Sequence, residues 1–366
     1  MGKSLKWLMA LLITLSLVAA SCGSDDDGDG GDSTTTTTAG TDGDEAADAG
    51  TDEAADTATD TATGEGVRVA LVLPGEINDL SWNQQMYEGA LALQDEGLVS
   101  EVAFTELVPE GDAERAIRGY ADDGFDLVVA HSFGYGETAK AVGADFPDTA
   151  FAWGGGIDAA EGNVADYEQP FHEAYYLMGI IAGDLSESGV LGGAGGFDIP
   201  ACHSLIEAFY LGAQEVNPDA RGVTTYTGDW VDVAIAKEAA SAAADEGADV
   251  FGACGEGPVL GQIELAAEQG LYATGYVGDM SSIAPENVVA SMVWDTAEVL
   301  RPMIEDINAG SFTPAKFYSV GVAEDGLIIA INPALEDQIS AEALDLVEQR
   351  RLGIVDGSFE VPFIPE

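Results

Sequence analysis

Basic side chains are scarce in this sequence. Its 366 residues include 12 Lys and Arg against 66 Asp and Glu, which gives a formal net charge of −54 at pH 7. A field of that sign repels phosphate backbones and anionic lipid headgroups. The composition therefore argues against a nucleic-acid partner. It also argues against phosphorylated ligands, because few cations are present to hold a phosphate.

Most of this acidity belongs to the part of the chain that can fold. Residues 23–64 hold 13 of the acids and no Lys or Arg, which leaves 53 acids against 10 basic groups in residues 65–366. Two interpretations are open: a surface adapted to high salt, or an ordinary solubilising surface from a strongly acidic proteome. Stability at low ionic strength separates them.

Recognisable catalytic and metal-binding motifs are also missing. The sequence has no G-x-S-x-G elbow, no H-E-x-x-H, no Walker-type loop and no evident Ser-His-acid set. The glycine-rich run 192–196 fits no G-x-G-x-x-G register and indicates a turn. Metal-ligand spacing is absent from the three histidines, His131, His172 and His203. The sequence predicts a protein that is not an enzyme and needs no cofactor or metal; a lipid-anchored hydrolase is the weaker alternative.

Residues 1–22 have the layout of a secretory signal. Two lysines precede an apolar run at residues 7–20, and the small residues 19–21 stand directly before Cys22. This arrangement resembles the lipobox of bacterial lipoproteins, whose cysteine is acylated after cleavage. A plain signal peptide with an incidental cysteine is the alternative. An uncleaved transmembrane helix is disfavoured, because the apolar run is shorter than the ~20 residues of a membrane span. We expect lipidation at Cys22 and a lipid anchor on the extracytoplasmic face of the cell membrane.

Residues 23–64 cannot form a hydrophobic core. They consist mainly of Asp, Thr, Ala and Gly, with five consecutive threonines and no aromatic residue. Low hydrophobicity and charge of one sign predict a disordered, extended tether.

A strand, a turn and a helix follow the tether. Residues 67–73 are a short valine-rich apolar run, typical of a strand buried in a parallel sheet. Pro74 and Gly75 end it, and capping side chains at residues 78–81 precede a helix predicted to start near Trp82. Ligands of open α/β sheets collect at this edge, where strand ends meet helix N-termini.

Strand-like and helical patterns then alternate along the chain. In the first half we predict strands within residues 102–108, 126–132 and 149–155, and helices at 113–122 and 137–145. Residues 156–169 are polar and are predicted to be an irregular crossover. In the second half we predict strands within residues 189–200, 222–230, 249–257, 272–280 and 288–295, and helices at 171–185, 205–215, 234–246, 259–269, 297–307 and 341–352. Such alternation favours doubly wound parallel sheets.

The repeated pattern predicts two Rossmann-like α/β lobes around a hinged cleft. Residues 65–366 would form this two-lobed binding domain. The first lobe covers about 65–165 plus a C-terminal return segment, and the second covers about 171–285. The helix at 341–352 is left unassigned. Ligands are expected between the carboxyl edges of the two sheets.

Six blocks resemble, in order, those of the basic membrane protein family. They are INDLSWNQQMYEG (77–89), HSFGYGETAKAVGADFP (131–147), EAYYLMGIIAGDLSESGVLGGAGGFDIP (173–200), GAQEVNPDA (212–220), TGDWVD (227–232) and EGPVLGQIELAAEQGLYATGYVGDM (256–280). The family comprises substrate-binding lipoproteins of ABC importers, including purine nucleoside receptors. The resemblance spans nearly all of residues 67–311 and implies the type I periplasmic-binding-protein fold.

The resemblance also implies a ligand site. Trp82 matches an aromatic residue that stacks on the base, and Asn83 and Gln84 match the amide pair after it. The other residues taken from the matched blocks are Phe133 in a cleft-facing loop, Trp230 and Asp232 in the second lobe, and Asp279, which matches an acid near the sugar hydroxyls. Glu256 can accept hydrogen bonds from ring N–H and amino groups, and Trp294 is a further aromatic candidate.

Several alternatives stay open for these residues. Trp82, Trp230 and Trp294 could be core aromatics, and Asp232 could cap the helix that follows it. The sequence departs from nucleoside-binding relatives at residues 255–258, at Val277 and at Pro74. The ligand is therefore left open between a purine nucleoside, a free nucleobase and another planar molecule. Two cysteines follow second-lobe strands and are either disulfide-bonded or free thiols: Cys202 and Cys254.

The function implied is capture of a purine nucleoside or nucleobase for an ABC importer. The protein would act as a monomer, with an ABC permease as its partner. A ligand sensor that reports to a receptor partner is the alternative, because transport and sensing use the same hinge closure.

Overall fold

The computed structural model describes residues 66–366, which form twelve strands and nine α-helices. The predicted signal segment, Cys22 and the tether lie outside the described residues. The strands are β1 Val67–Val72, β2 Val99–Thr105, β3 Leu127–Ala130, β4 Ala150–Trp153, β5 Val164–Tyr167, β6 Val190–Gly195, β7 Arg221–Tyr226, β8 Val250–Cys254, β9 Tyr272–Gly275, β10 Val288–Trp294, β11 Phe317–Tyr318 and β12 Leu327–Ile331. The helices are α1 Trp82–Asp95, α2 Ala113–Asp122, α3 Gly136–Asp145, α4 Phe171–Leu185, α5 Pro200–Val216, α6 Val233–Asp245, α7 Glu256–Gln269, α8 Thr296–Asn308 and α9 Ala341–Asp356.

The strands form two separate six-stranded sheets. The first has the order β11-β5-β4-β3-β1-β2 and is parallel throughout. The second has the order β12-β10-β9-β8-β6-β7, in which β12 alone runs antiparallel to its neighbour. The predicted fold class, two doubly wound α/β lobes, is confirmed. The second sheet also contains β10 and β12, which follow the predicted end of that lobe near residue 285.

The chain passes between the lobes three times within the described residues. It leaves the first lobe after β5, returns after β10 so that α8 packs against α1 and β11, and leaves again to form β12. The helix at the C-terminal end, α9, packs on α4 and so belongs to the second lobe. Three adjacent crossovers connect the lobes, which is the arrangement expected of a hinge.

One predicted loop contains a strand. Residues 156–169 include β5, whose Asp166 is completely buried. Its carboxylate accepts hydrogen bonds from the backbone N–H groups of Gly155, Gly156, Ile157 and Ala159 at 2.8–3.1 Å. A buried acid interrupts the hydrophobic pattern by which a strand is recognised in a sequence. Here the acid also holds the loop after β4 in place.

Two helices begin earlier than predicted. α5 starts at Pro200 and not near residue 205, and α7 starts at Glu256 and not near residue 259. Proline occupies the first turn of each helix, where its missing N–H needs no partner. The prolines therefore lie inside the helices that they initiate.

Most cations of the folded part are engaged in ion pairs. In residues 66–366, nine of the ten Lys and Arg residues lie within 4.0 Å of a carboxylate, and Arg221 donates to the carbonyl oxygen of Glu246. Arg68 pairs with Glu101 and donates to the carbonyl oxygens of residues 123 and 124. Its guanidinium also lies 4.2 Å from the centre of the Phe125 ring. These bonds connect β1, β2 and the segment before β3.

Helices α4 and α5 pack at close range in the second lobe. A Cβ on Gly179 would overlap the carbonyl oxygen of Phe209, and one on Gly212 would overlap the carbonyl oxygen of Tyr176. Backbone lines both sides of this contact, so it cannot yield as a flexible side chain could.

We predict that Gly179→Ala lowers the free energy of unfolding by about 1–3 kcal/mol, because the added methyl group forces the two helices apart. Gly119→Ala on the exposed face of α2 is the matched control, since nothing lies near its Cβ position. That change should raise stability by about 0.5–1 kcal/mol through its higher helix propensity. Chemical denaturation of both variants measures the difference, and equal effects would contradict the close-packing explanation.

Candidate functional site

A cavity of about 90 Å³ lies between the lobes, at the carboxyl ends of the strands. Five aromatic side chains line it: Trp82, Phe133, Phe171, Trp230 and Tyr276. Its polar side chains include Asn83, Ser132, Gln169 and Glu256.

The loop between β1 and α1 places Trp82 at this cavity. Asp79 caps α1, because its carboxylate accepts from the backbone N–H groups of Ser81, Asn83 and Gln84 at 2.8–3.0 Å. Ser81 does not cap the helix with its side chain; its hydroxyl instead donates to the carbonyl oxygen of Tyr276 in the second lobe. The start of α1 is thus held both by its own cap and by the opposite lobe.

His131 fixes the orientation of the Trp82 ring. The two rings stack with centroids 4.2 Å apart and an interplanar angle of 11°. Trp82 Nε1 donates to the carbonyl oxygen of His131, and His131 Nε2 lies 2.9 Å from the carbonyl oxygen of Trp82. His131 Nδ1 lies 2.6 Å from the Tyr167 hydroxyl. Complete burial lowers the pKa of His131 to about 3, so the ring is neutral at physiological pH.

Trp294 lies in the core and does not line the cavity. It is completely buried, and its ring packs 5.2 Å from that of Trp82 and 5.0 Å from that of Phe171. Its residue type and position suggested a ligand contact, but the end of β10 faces the interior at the crossover to α8. Trp294 therefore supports Trp82 from behind.

Asn83 shapes the turn that follows β1. Its side-chain oxygen accepts from the N–H of Gly75, and its Nδ2 donates to Asp79. A Cβ on Gly75 would overlap Nδ2 of this amide, so a larger residue there would force the Asn83 side chain to move. One amide hydrogen and one lone pair of Asn83 remain for a ligand.

Phe133 follows β3 on a loop that Trp153 holds. Trp153 Nε1 donates to the carbonyl oxygens of Ser132 and Phe133 at 3.0 Å, and the rings of Trp153 and Phe133 lie 6.0 Å apart. The indole thus fixes this side of the cavity wall through the backbone.

Trp230 contributes the aromatic ring of the second lobe. It packs 5.1 Å from Phe197, and a side chain on Gly196 would overlap it. Asp232, two residues later, caps α6 by accepting from the N–H of Ile235. The structure therefore places Asp232 in the capping position and not among the lining residues.

Two other predicted residues do not line the cavity. The side-chain oxygen of Gln84 accepts from the N–H of Leu80, and its Nε2 donates to Glu88. Asp279 is exposed and accepts from the N–H of Ser281. Both side chains hydrogen-bond to nearby backbone groups, as amides and carboxylates in turns commonly do.

A disulfide bond forms part of the cavity wall. It joins Cys202 in the first turn of α5 to Cys254 at the end of β8, with Cα atoms 5.4 Å apart. Both residues line the cavity. The bond ties two segments of the second lobe together beside Gly255 and Glu256.

Glu256 is the acid inside the cavity. It is the first residue of α7 and follows Gly255, whose φ of 116° favours glycine. Burial, reinforced by the charges of Asp79 and Glu76, raises the pKa of Glu256 to about 7. This carboxyl can therefore change its protonation state near neutral pH.

Sequence reasoning missed several of the lining side chains, among them Ser132, Gln169, Phe171 and Tyr276. Tyr276 directly follows β9, so the rule that ligands meet strand carboxyl ends could have identified it. Gln169 and Phe171 lie at the first crossover between the lobes, and only the three-dimensional arrangement brings them to the cavity.

Together, the two α/β lobes, the crossovers and the interlobe cavity define a solute-binding protein of the two-lobed class. Residues 66–356 match the Bmp family, described as "ABC transporter substrate-binding protein PnrA-like". The chain belongs to this family, and the recognised resemblance is confirmed.

Relatives of known description agree with this assignment. A putative ABC transporter glucose-binding protein of Haloferax volcanii is 31% identical over 301 residues, which cover 81% of this chain and 74% of the relative. A purine-binding protein of Brucella abortus is 32% identical over 231 residues, which cover 63% of this chain and 65% of the relative. Basic membrane protein A of Borreliella burgdorferi is 25% identical and covers 81% and 87%.

Solved structures show the same architecture. An ABC transporter solute-binding protein from Conexibacter woesei superimposes with a TM-score of 0.68 at 26% identity, covering 82% of this chain and 100% of the other. One from Aeropyrum pernix gives 0.70 at 23% identity, covering 81% and 94%, and supports the fold alone. The description of the family is that of substrate-binding proteins of ABC transporters.

The described residues contain no helix long and apolar enough to cross a membrane. In the same part of the chain, no group of three or more His, Cys, Asp or Glu residues is placed to hold a metal ion.

We predict that His131 makes stability depend on pH. Its pKa is about 3 in the folded state and near 6.5 when unfolded, so the unfolded chain binds the extra proton between these values. Stability should therefore fall as pH drops below 6.5, by up to about 1.4 kcal/mol per pH unit.

Comparison of unfolding free energies at pH 6 and pH 5 with those of His131→Gln measures this contribution. Burial also lowers the pKa of His172, to about 4. Because His172 is present in both proteins, its contribution to the pH dependence cancels in the comparison. An identical pH dependence in the variant would contradict the prediction.

Proposed function

We propose that the protein captures a purine nucleobase or nucleoside outside the cytoplasm and delivers it to an ABC permease. One observation carries the proposal: an indole, Trp82, is held rigidly at an aromatic-lined cavity between two hinged lobes. A flat apolar wall of this kind suits a planar heterocycle, because stacking and burial of both ring faces stabilise the complex.

The polarity of the cavity favours a base over a sugar. Sites that select a hydroxylated ligand require a hydrogen-bonding group for most hydroxyls, since unpaired buried polar groups are costly. Here five aromatics surround few polar side chains, and Asn83 already uses part of its capacity within the protein. The purine-binding relative agrees with this reasoning. The relative described as a putative glucose-binding protein makes glucose the second candidate.

The charge of the cavity favours a ligand without phosphate. Among the described residues that line it there is no Lys, Arg or His, and Glu256 is acidic. A phosphate would meet no counter-charge there. Nucleotides should therefore bind more weakly than the corresponding nucleosides.

We predict that the intact protein binds adenine or adenosine with micromolar or tighter affinity in high salt, and that it binds AMP and glucose more weakly. Isothermal titration calorimetry measures all four ligands. Binding of glucose alone would exclude the purine proposal and leave the fold assignment intact.

The Trp82→Ala variant tests whether stacking carries the affinity. Base–aromatic stacking is worth about 1–3 kcal/mol, so the affinity for the purine should fall by about 5- to 150-fold. Phe104→Ala is the matched control, because this aromatic is exposed on β2 and packs on Tyr87 away from the cavity. Equal effects of the two changes would refute a stacking role for Trp82.

We further propose that acylation of Cys22 anchors the mature protein to the outer face of the cell membrane. The support is sequence alone: small residues directly before a cysteine that follows an apolar run. The acidic tether after Cys22 would give the binding domain reach to its permease.

We predict that Cys22→Ser moves the protein from the membrane fraction to the soluble or secreted fraction. A single serine cannot carry the acyl chains that supply membrane affinity. Cell fractionation followed by mass determination of the N-terminal peptide measures both location and acylation. A wild-type protein that fractionates with the membrane but carries no acyl group on Cys22 would overturn the anchoring proposal.

A further inference from the structure

We propose that Glu256 binds the ligand as a neutral carboxylic acid, which donates its O–H to a ring nitrogen and accepts from an adjacent amino group. This geometry assigns an aminopurine of the adenine type as the ligand class. The inference rests on the proposed function, because it concerns the same cavity.

The position of Glu256 leaves its carboxyl available to a ligand. The side chain lines the cavity and is partly buried. One of its oxygens, Oε2, lies 3.6 Å from the point that a Cβ on Gly75 would occupy, so the carboxyl reaches from the second lobe to the turn after β1. In the part of the chain that the structure describes, neither carboxyl oxygen of Glu256 has a hydrogen-bond partner within the protein.

The surroundings of Glu256 favour the neutral form. Asp79 and Glu76, from the loop between β1 and α1, face it across the cleft and raise its pKa together with burial. Asp229 and Asp232 lie beside the same turn of α7 and bond to backbone N–H groups.

One influence acts in the opposite direction. The N-terminal amides of α7 favour the ionised form of a carboxyl in the first turn. No lysine or arginine among the described cavity residues adds to that effect. Burial and the neighbouring acids therefore outweigh the helix end.

The protonation state of Glu256 determines which hydrogen-bonding edge of a base can pair with it. A neutral carboxyl presents one donor beside one acceptor, whereas a carboxylate only accepts. Adenine presents N7, an acceptor, beside its N6 amino group, a donor. An ionised Glu256 would instead direct an oxygen lone pair at the lone pair of the ring nitrogen, and the two would repel each other. Guanine differs, because its adjacent N1–H and 2-amino groups are two donors that match the ionised form.

The test is calorimetric titration of the intact protein with adenine, adenosine and guanosine at pH 6 and pH 8 in high salt. Affinity for the adenine compounds should fall by about tenfold between these pH values, because only the protonated fraction of Glu256 binds them. Guanosine affinity should not fall. Adenine-compound affinity that is constant or rises with pH would overturn the inference while leaving purine capture in place.

Two variants and one control variant separate Glu256 from other titrating groups. Glu256→Gln carries a fixed donor and a fixed acceptor, so its affinity for adenine compounds should no longer change between pH 6 and pH 8. Glu76→Gln removes a neighbouring charge and should shift the pH midpoint of wild-type-like binding downward, whereas the exposed Glu187→Gln, outside the cavity, should not. A pH dependence that persists in Glu256→Gln assigns the effect elsewhere and refutes the inference.

A third result is distinguishable from these. If no purine binds at either pH, the proposed function itself fails, and the role of Glu256 fails with it.

Discussion

The reciprocal pairing of Trp82 with His131 is the constraint on which the binding site depends. Each residue contacts the other through ring stacking, and each lies at hydrogen-bond distance from the backbone carbonyl of the other. An indole on a loop would otherwise sample several rotamers, and ordering it on binding would reduce affinity. Because the pairing is already made, the ring that meets the ligand is fixed before the ligand binds.

The same pairing is continuous with the connection between the lobes. The rings of Tyr167, Phe171 and Trp294 pack behind Trp82. Each of these rings has its centroid within 6.3 Å of the ring centroid of Trp82, His131 or another member of the group. The three residues flank two of the three crossovers. Rotation of one lobe about these crossovers must take place around this packed aromatic cluster. A pivot at this cluster would let the cleft change its opening without displacing the stacking surface.

The sequence predicted the architecture better than the contacts. Alternating buried strands and amphipathic helices are local patterns, so both lobes could be recognised from them. Strand β5 was not predicted, because its Asp166 breaks the apolar pattern. This side chain accepts hydrogen bonds from four backbone N–H groups inside the protein, and no sequence periodicity reveals such bonds. Trp294 and Asp279 had the right chemistry for a ligand, but burial and turn geometry gave them other partners. Phe171 reaches the cavity only because the chain crosses between lobes there.

The engagement of Arg68 has a consequence for proteolysis. Between Lys6 and Arg68 the sequence contains no basic residue, so a protease that cleaves after Lys or Arg finds no site in residues 23–64. The first such bond after residue 64 lies in β1, where Arg68 is bonded to Glu101 and to two carbonyl oxygens. Trypsin-like enzymes therefore have no cleavage site in residues 23–64, and the first site after them lies at an arginine that is bonded within the folded domain.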